Sequence, residues 1–381
     1  MKTFFKNPCN LYVLLWCLQM VHTPLKLYGD ALSVIVLFVL YLWSFGYFIA
    51  ILRRPNNPPF LAAWNLMYIL FMLYGIYDML VLGSHSRLYI MAHSTSMLPL
   101  YPFYVYAEKG YLTKVFFKRW AIVLLPVAIA NFILGEQMAL QNLLSEEVEG
   151  VTNNMGYSIA FMMPFFYFWR KTPIVQYLGF GALTILTILA LKRGAIIVVV
   201  LSLLLLILHE QRKNKGASRF ISFFMGITFV FCIAFFLQKQ ATSNTYMMTR
   251  LEQTESGDNS ARGEIYSEAW SFFENKMDPI EVVFGIGANG CVKAINTEAH
   301  NDWLEVLISM GLLGFLVFLR IWINAYRDYQ SITSPESKFL FGLVILTLFA
   351  RTFFSMSIGD MYFYSTCVMG YCLANKCKKN N

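Results

Sequence analysis

Residues 29–52 read GDALSVIVLFVLYLWSFGYFIAIL. The only charge in this stretch is Asp30, at its second position. A helix rises about 1.5 Å per residue, so a run of this length crosses a hydrocarbon core about 30 Å thick. In lipid every backbone group must find its partner inside the segment, so a run this long and apolar reads as a transmembrane helix. Similar runs recur outward in both directions, at roughly 10–24, 59–83, 88–107, 116–135, 155–169, 173–191, 194–209, 219–238, 302–321, 338–355 and 358–374. Only 14% of the residues are charged. Soluble domains carry roughly 25%, and the deficit places the chain in a bilayer. The expectation is an all-α polytopic membrane protein with about 12 transmembrane helices and one large extracytoplasmic loop.

The N-terminus carries Lys2 and Lys6 before the apolar stretch Leu11 to Leu18, as a signal peptide would. No small-residue cleavage site follows, so it reads as the first span. An even span count puts both termini on one side. Placing them in the cytoplasm puts 20 of the 30 basic residues there, as the positive-inside rule requires. The formal charge of +8 is thereby explained by topology, and nucleic acid is not an expected partner. The chain then divides into helices over 1–238, a large outer loop over 239–300, and helices plus a tail over 301–381, all one integral membrane domain. Within the loop, 261–275 has the pattern of an amphipathic helix with Ile265, Ala269, Trp270, Phe272 and Phe273 as its apolar residues. Gly285-Ile286-Gly287-Ala288-Asn289-Gly290 reads as a tight turn.

Ionisable residues inside spans are costly and mark functional positions. On this topology they gather toward the outer leaflet: Asp78, His93, Glu136, Lys192, Arg193, Asp302, Glu305, Arg351 and Asp360, with the amide Asn131. Their one-sidedness suggests a polar cavity open to the outside; the alternative is interfacial residues reaching into water. None of the seven cysteines forms a C-x-x-C pair, and the five histidines are scattered. No metal cluster is visible, so the expected cofactor set is none and the expected chemistry is metal-independent. Asp302 and Glu305, one helical turn apart, are a weak cation candidate.

Three blocks carry a resemblance. Arg262-Gly263-Glu264-Ile265-Tyr266-Ser267-Glu268-Ala269-Trp270, then Pro279, then Phe284-Gly285-Ile286-Gly287, form the first. Ala299-His300-Asn301-Asp302-Trp303-Leu304-Glu305, followed by Gly311 and Gly314, form the second. Lys192-Arg193-Gly194-Ala195, between two spans, is the third. Together they resemble the O-antigen ligase/polymerase family over about 190–320. Lys192 stands where the family usually has serine, and the first 180 residues match only as generic spans. The resemblance implies a fold like the C-type glycosyltransferases, about twelve helices around an outer loop. It also implies transfer of a glycan from a polyprenyl diphosphate to an acceptor hydroxyl.

The residue types suit that chemistry. A leaving diphosphate concentrates negative charge, which arginine binds bidentately. Arg193 and Arg262 are the expected diphosphate ligands, with Arg351 a third. A sugar hydroxyl needs a base, and histidine, with an unperturbed pKa of about 6.5, can take its proton. His300 is the candidate base and Asn301 its candidate orienting partner. Trp270 offers a face to a sugar ring or an anchor on the membrane. Each has a plainer reading, as an interfacial histidine, a solvated helix charge or a packing aromatic.

The expected activity is polymerisation of lipid-linked repeat units into a surface polysaccharide. The expected partners are a polyprenyl-diphosphate-linked oligosaccharide, membrane lipid, a flippase and a chain-length regulator. The alternatives are a ligase that transfers glycan to lipid A core or protein, a transporter of the same lipid, and a non-catalytic scaffold. A transporter would show pseudo-repeated halves and broken helices at midplane; no such symmetry is visible.

Overall fold

A computed structural model describes residues 6–25, 30–82, 87–144, 155–190, 192–213, 262–355 and 363–376. The expected span at 219–238, the loop segment 239–261 and Asp360 lie outside the described residues. Every regular element described is an α-helix. In chain order these are α1 (Pro8–Leu25), α2 (Asp30–Leu52), α3 (Pro59–Val81), α4 (Arg87–Met97), α5 (Leu100–Glu108), α6 (Lys114–Leu144), α7 (Met155–Ala160) and α8 (Met163–Tyr167). They continue with α9 (Pro173–Leu189), α10 (Arg193–Lys213), α11 (Arg262–Asn275), α12 (Pro279–Phe284), α13 (Gly290–Ile295), α14 (Asp302–Ser331), α15 (Pro335–Arg351) and α16 (Phe363–Lys376).

Every expected span within the described residues holds helix, but three are broken, two at prolines and the one at 302–321 at Gly311. Pro99 has no N–H to give Thr95, and the span at 88–107 splits there into α4 and α5. Pro164 withholds a donor from Ala160 in the same way, and the span at 155–169 becomes α7 and α8. Among the described residues, five helices are long and apolar enough to cross a membrane: Ala31–Leu52, Pro59–Val81, Lys114–Gly135, Gly194–Arg212 and Asp302–Ser331. The other expected spans are shorter helices or broken pairs.

The chain forms two compact units. The first comprises residues 1–37 and 112–258. In it α6 packs on α1, α7, α8 and α9, and α10 packs on α7 and α9. Trp120 donates its indole N–H to the Asn10 amide oxygen at 3.0 Å, and Phe117 stacks on Phe168 at 4.4 Å.

The second unit comprises residues 38–111 and 259–381. Here α3 lies along α14 and α4, α16 lies along α5 and α15, and the loop helices α11, α12 and α13 pack on α14. Pro58 and Pro59 begin α3 and offer its first turn no side-chain cap. The missing acceptor comes from the far end of α14: Phe60 N donates to Asp328 Oδ2 at 2.8 Å. Asn324 completes the junction by donating to the Pro59 carbonyl at 3.0 Å. Asp328 is fully buried, and Lys376 of α16 pairs with its other oxygen. One carboxylate thus joins three helices of this unit.

Candidate active site

The site region rests on a break in α14. Gly311 sits at φ 61°, ψ −162°, which no side chain tolerates cheaply. In an unbroken helix the carbonyls of Ile308 and Ser309 would accept from Leu312 and Leu313. Instead they accept from the loop: Ile286 N reaches Ile308 O and Gly287 N reaches Ser309 O, both at 3.0 Å. A Cβ on Gly311 would come within 2.5 Å of the Val283 carbonyl, and one on Gly285 within 2.3 Å of Ser309. The expected turn is present at 288–289, and the irregular backbone before it docks on α14, where the glycines on both sides permit the approach.

Immediately before α14 stand His300 and Asn301. His300 takes the left-handed conformation, φ 50°, a strained state for a non-glycine residue. Its side chain is 43% exposed, and Glu298 Oε2 lies 3.9 Å from Nδ1. A carboxylate on that side suits an imidazole that takes up a proton at its other nitrogen. Asn301 caps α14: its Oδ1 accepts from Trp303 N at 2.9 Å and from Leu304 N at 3.3 Å. Its Nδ2 donates to the Phe353 carbonyl at 3.5 Å. The Asn301 side chain is thus engaged in the cap of α14 and with the Phe353 carbonyl.

The start of α14 is sewn to the end of α15. Asp302 N donates to Thr352 O, and Trp303 Nε1 donates to Thr352 Oγ1, each at 2.9 Å. The Trp303 ring stacks on Phe353 and meets Phe318 edge-on, with centroids 5.7 and 4.8 Å away. Arg351, the last residue of α15, is fully buried next to this junction, where its charge also complements the carbonyl end of the helix.

The amphipathic helix expected at 261–275 is α11. Ala269, with Ile265 and Phe272, faces a small apolar cluster with Cys291, Ile295, Ala299 and Ile308. Tyr266 projects from another face and donates its hydroxyl to Phe353 O at 3.1 Å and to His300 O at 3.5 Å. Arg262 is one turn earlier on the same row, and Trp270 one turn later. Tyr266 therefore brings the Arg262 end of α11 to the backbone of His300. Trp270 is 47% exposed and touches Phe273, 5.7 Å between centroids. The opposite face of α11 borders an open groove of about 560 Å³, lined by Glu264, Ser267, Glu268, Ser271, Phe272 and Lys276 among others.

Of the polar residues expected toward the outer leaflet, Asp78, His93, Asp302, Glu305 and Arg351 are buried in this unit. Asp78, 1% exposed, is paired with Lys293 of α13. Glu305 accepts from Ser309 Oγ at 3.0 Å and from Cys291 N at 3.4 Å, so it anchors α13 where a cation ligand had been considered. His93 is packed against Phe71 and Tyr89. Burial pushes the Cys291 thiol up from its ordinary value, and the Glu305 carboxylate pushes it the same way. Cys291 is thereby kept as an inert thiol.

The second unit thus brings His300, Asn301 and Arg351 to the α14–α15 junction, with Arg262 one turn before Tyr266 on α11. Arg193 opens α10 in the first unit. Sequence reasoning missed Tyr266, Trp303, Thr352 and Lys293. The i, i+4 spacing of Tyr266 from Arg262 was the one available signal for the first of these.

No curated protein matches the chain. A family model described as O-Antigen ligase matches residues 178–319, a little over a third of the length. The matched stretch contains Arg193, Arg262, Trp270, His300, Asn301 and the Gly311 break. Over residues 178–319 the chain is thus similar to the O-Antigen ligase family, in the stretch whose motifs carry the resemblance.

Proposed function

We propose that this protein joins oligosaccharide repeat units carried on undecaprenyl diphosphate into a surface polysaccharide. The work is done at the outer face of the cytoplasmic membrane. The observation that supports this most is the setting of His300. Its backbone is held left-handed ahead of a capped helix, and Tyr266 ties it to the helix that begins with Arg262. In the proposed step the acceptor hydroxyl oxygen bonds to the anomeric carbon of the donor sugar, and His300 takes the hydroxyl proton. The bond from that carbon to the diphosphate oxygen breaks, and the leaving group departs with the electron pair. Diphosphate needs charge stabilisation more than a proton. Arg262 is our proposed ligand for it, Arg351 a buried contributor, and Arg193 a ligand proposed from the sequence. Trp270 is our proposed platform for a sugar ring.

The remaining parts follow the same reading. The chain passes the membrane about twelve times, the shorter and broken helices included. Both termini are cytoplasmic, and the loop at 239–300 is external. The step uses no metal. A flippase that delivers the donor and a chain-length regulator are the proposed partners.

The likeness to the O-Antigen ligase family favours a second reading, transfer of a finished glycan onto lipid A core or a protein. One experiment separates the two. The gene is deleted in its host and restored as wild type or as His300→Ala, and the surface glycan is resolved on a gel. A ladder that collapses to one repeat unit and returns only with wild type supports the polymerase. Full-length polymer retained on its lipid carrier supports the ligase. A ladder unchanged by the deletion would remove both readings.

A further inference from the structure

The loop helix α12 presents Ile280, Val283 and Phe284 to the surroundings, 71%, 42% and 51% exposed, and buries none of its residues. In a water-exposed loop this is an anomaly. The level at which α12 ends resolves it. Tyr74 of α3 donates its hydroxyl to the Phe284 carbonyl. Tyr74 lies eight residues before Leu82, or about 12 Å along the helix axis. Above it on α3, Leu80, Val81 and Leu82 are exposed at 73%, 62% and 52%. Large apolar side chains exposed at the end of a candidate span belong in lipid, so a group below them lies deeper still.

A second helix gives the same depth. Ile286 and Gly287 bond to Ile308 and Ser309, which are six and seven residues into α14, about 9–10 Å below its start. Irregular backbone survives at such depth only when its polar groups are satisfied by protein. Here Gly285 N reaches Glu281 O, and the next two N–H groups reach α14. The charged end of α12 points the other way. Asp278 and Glu281 form a reciprocal capping box at its first turn, beside exposed Lys276. Lys293 then returns the chain to Asp78, near the end of α3.

We infer that residues 278–293 form a re-entrant hairpin that dips into the bilayer leaflet. Its Ile280, Val283 and Phe284 contact the hydrocarbon chains of the surrounding lipid. The face is continuous with the lipid-exposed flank of α3 through Tyr74 and Leu82. The inference stands independently of the transferase reading.

The test places a bimane fluorophore on Val283→Cys, on Phe284→Cys and, as a water-exposed control, on Glu274→Cys. The full-length protein is reconstituted in phospholipid bilayers, and labelling of the parent protein serves as background. Brominated acyl chains should remove most of the fluorescence at 283 and 284 and little at 274, while aqueous iodide does the reverse. Equal iodide quenching at all three positions would overturn the inference. So would protection of 283 and 284 from both quenchers, the sign of a face covered by protein. The readout is independent of catalysis, so loss of the proposed activity would leave this result intact.

Discussion

The hydroxyl of Tyr266 donates to the carbonyl oxygen of Phe353 at 3.1 Å, across 87 residues of sequence. It also lies 3.5 Å from the carbonyl of His300. One phenol thus spans the loop helix, the residue before the α14 cap and the end of α15. Tyr266→Phe keeps the ring and removes the donor. Turnover should fall about tenfold, since small misplacements of reacting groups are costly, while KM stays nearly unchanged. Unfolding stability should fall by only about 1 kcal/mol. Steady-state kinetics with lipid-linked donor, beside a thermal melt in detergent, separates the two effects. A drop in stability without a drop in kcat would remove the positioning role.

Gly311 makes a sharper prediction. Alanine there must hold a positive φ, costing about 1–2 kcal/mol. Its Cβ would also come within 2.5 Å of the Val283 carbonyl. Gly311→Ala should lower the melting temperature clearly and loosen the 285–287 segment in hydrogen exchange. Gly263, in α11, has open space around it. Gly263 is the second residue of α11, so Gly263→Ala should change stability by less than the roughly 0.5–1 kcal/mol of a helix interior.

Lys293 and Asp78 form a pair whose carboxylate is almost fully buried. Removing one partner of such a pair strands a charge and costs about 3–5 kcal/mol, less here because Lys293 is 31% exposed. Lys293→Met and Asp78→Asn should each destabilise strongly. The double variant should recover much of the loss, and a double-mutant cycle by thermal unfolding reads the coupling. Additive losses would show that the pair contributes no net interaction.

Arg262→Ala should reduce glycan assembly about a hundredfold, the scale of losing one charge stabiliser in the transition state. Arg262→Lys should recover part of that, keeping the charge without the bidentate fork. In vivo ladder formation and the yield of folded protein are measured together. Full activity in Arg262→Ala would remove it from the diphosphate.

Helix positions were legible because a long apolar run leaves lipid as its only stable environment. The interruptions at Pro99 and Pro164 were not read: 88–107 and 155–169 were taken as continuous spans, although proline removes a specific donor. Gly285-Ile286-Gly287 read correctly as non-helical, but its docking on the backbone of α14 was not read. The carbonyls it meets are freed by Gly311, and periodicity carries no trace of a pairing between residues so far apart. Asn301 read as a companion for His300; an Asn before a helix whose first turn carries Asp302 and Glu305 was also a capping signature, and the cap is what forms. Asp302 and Glu305 read as neighbours on one helix face. Glu305 is spent on Ser309, one turn later on the same helix, and on Cys291, which only the returning loop brings to it. Arg193 was legible as a charge between two apolar runs, and it does open a helix.

The carboxylate of Asp328 that accepts from Phe60 N stands 268 residues later in the chain. As the chain emerges from the ribosome, α3 must enter the membrane with its first turn uncapped and wait for the C-terminal helices to be made. Lys376, four residues after Cys372, closes the same junction later still. A chain truncated before α14 would carry α3 with that turn still open, a recognisable mark for membrane quality control.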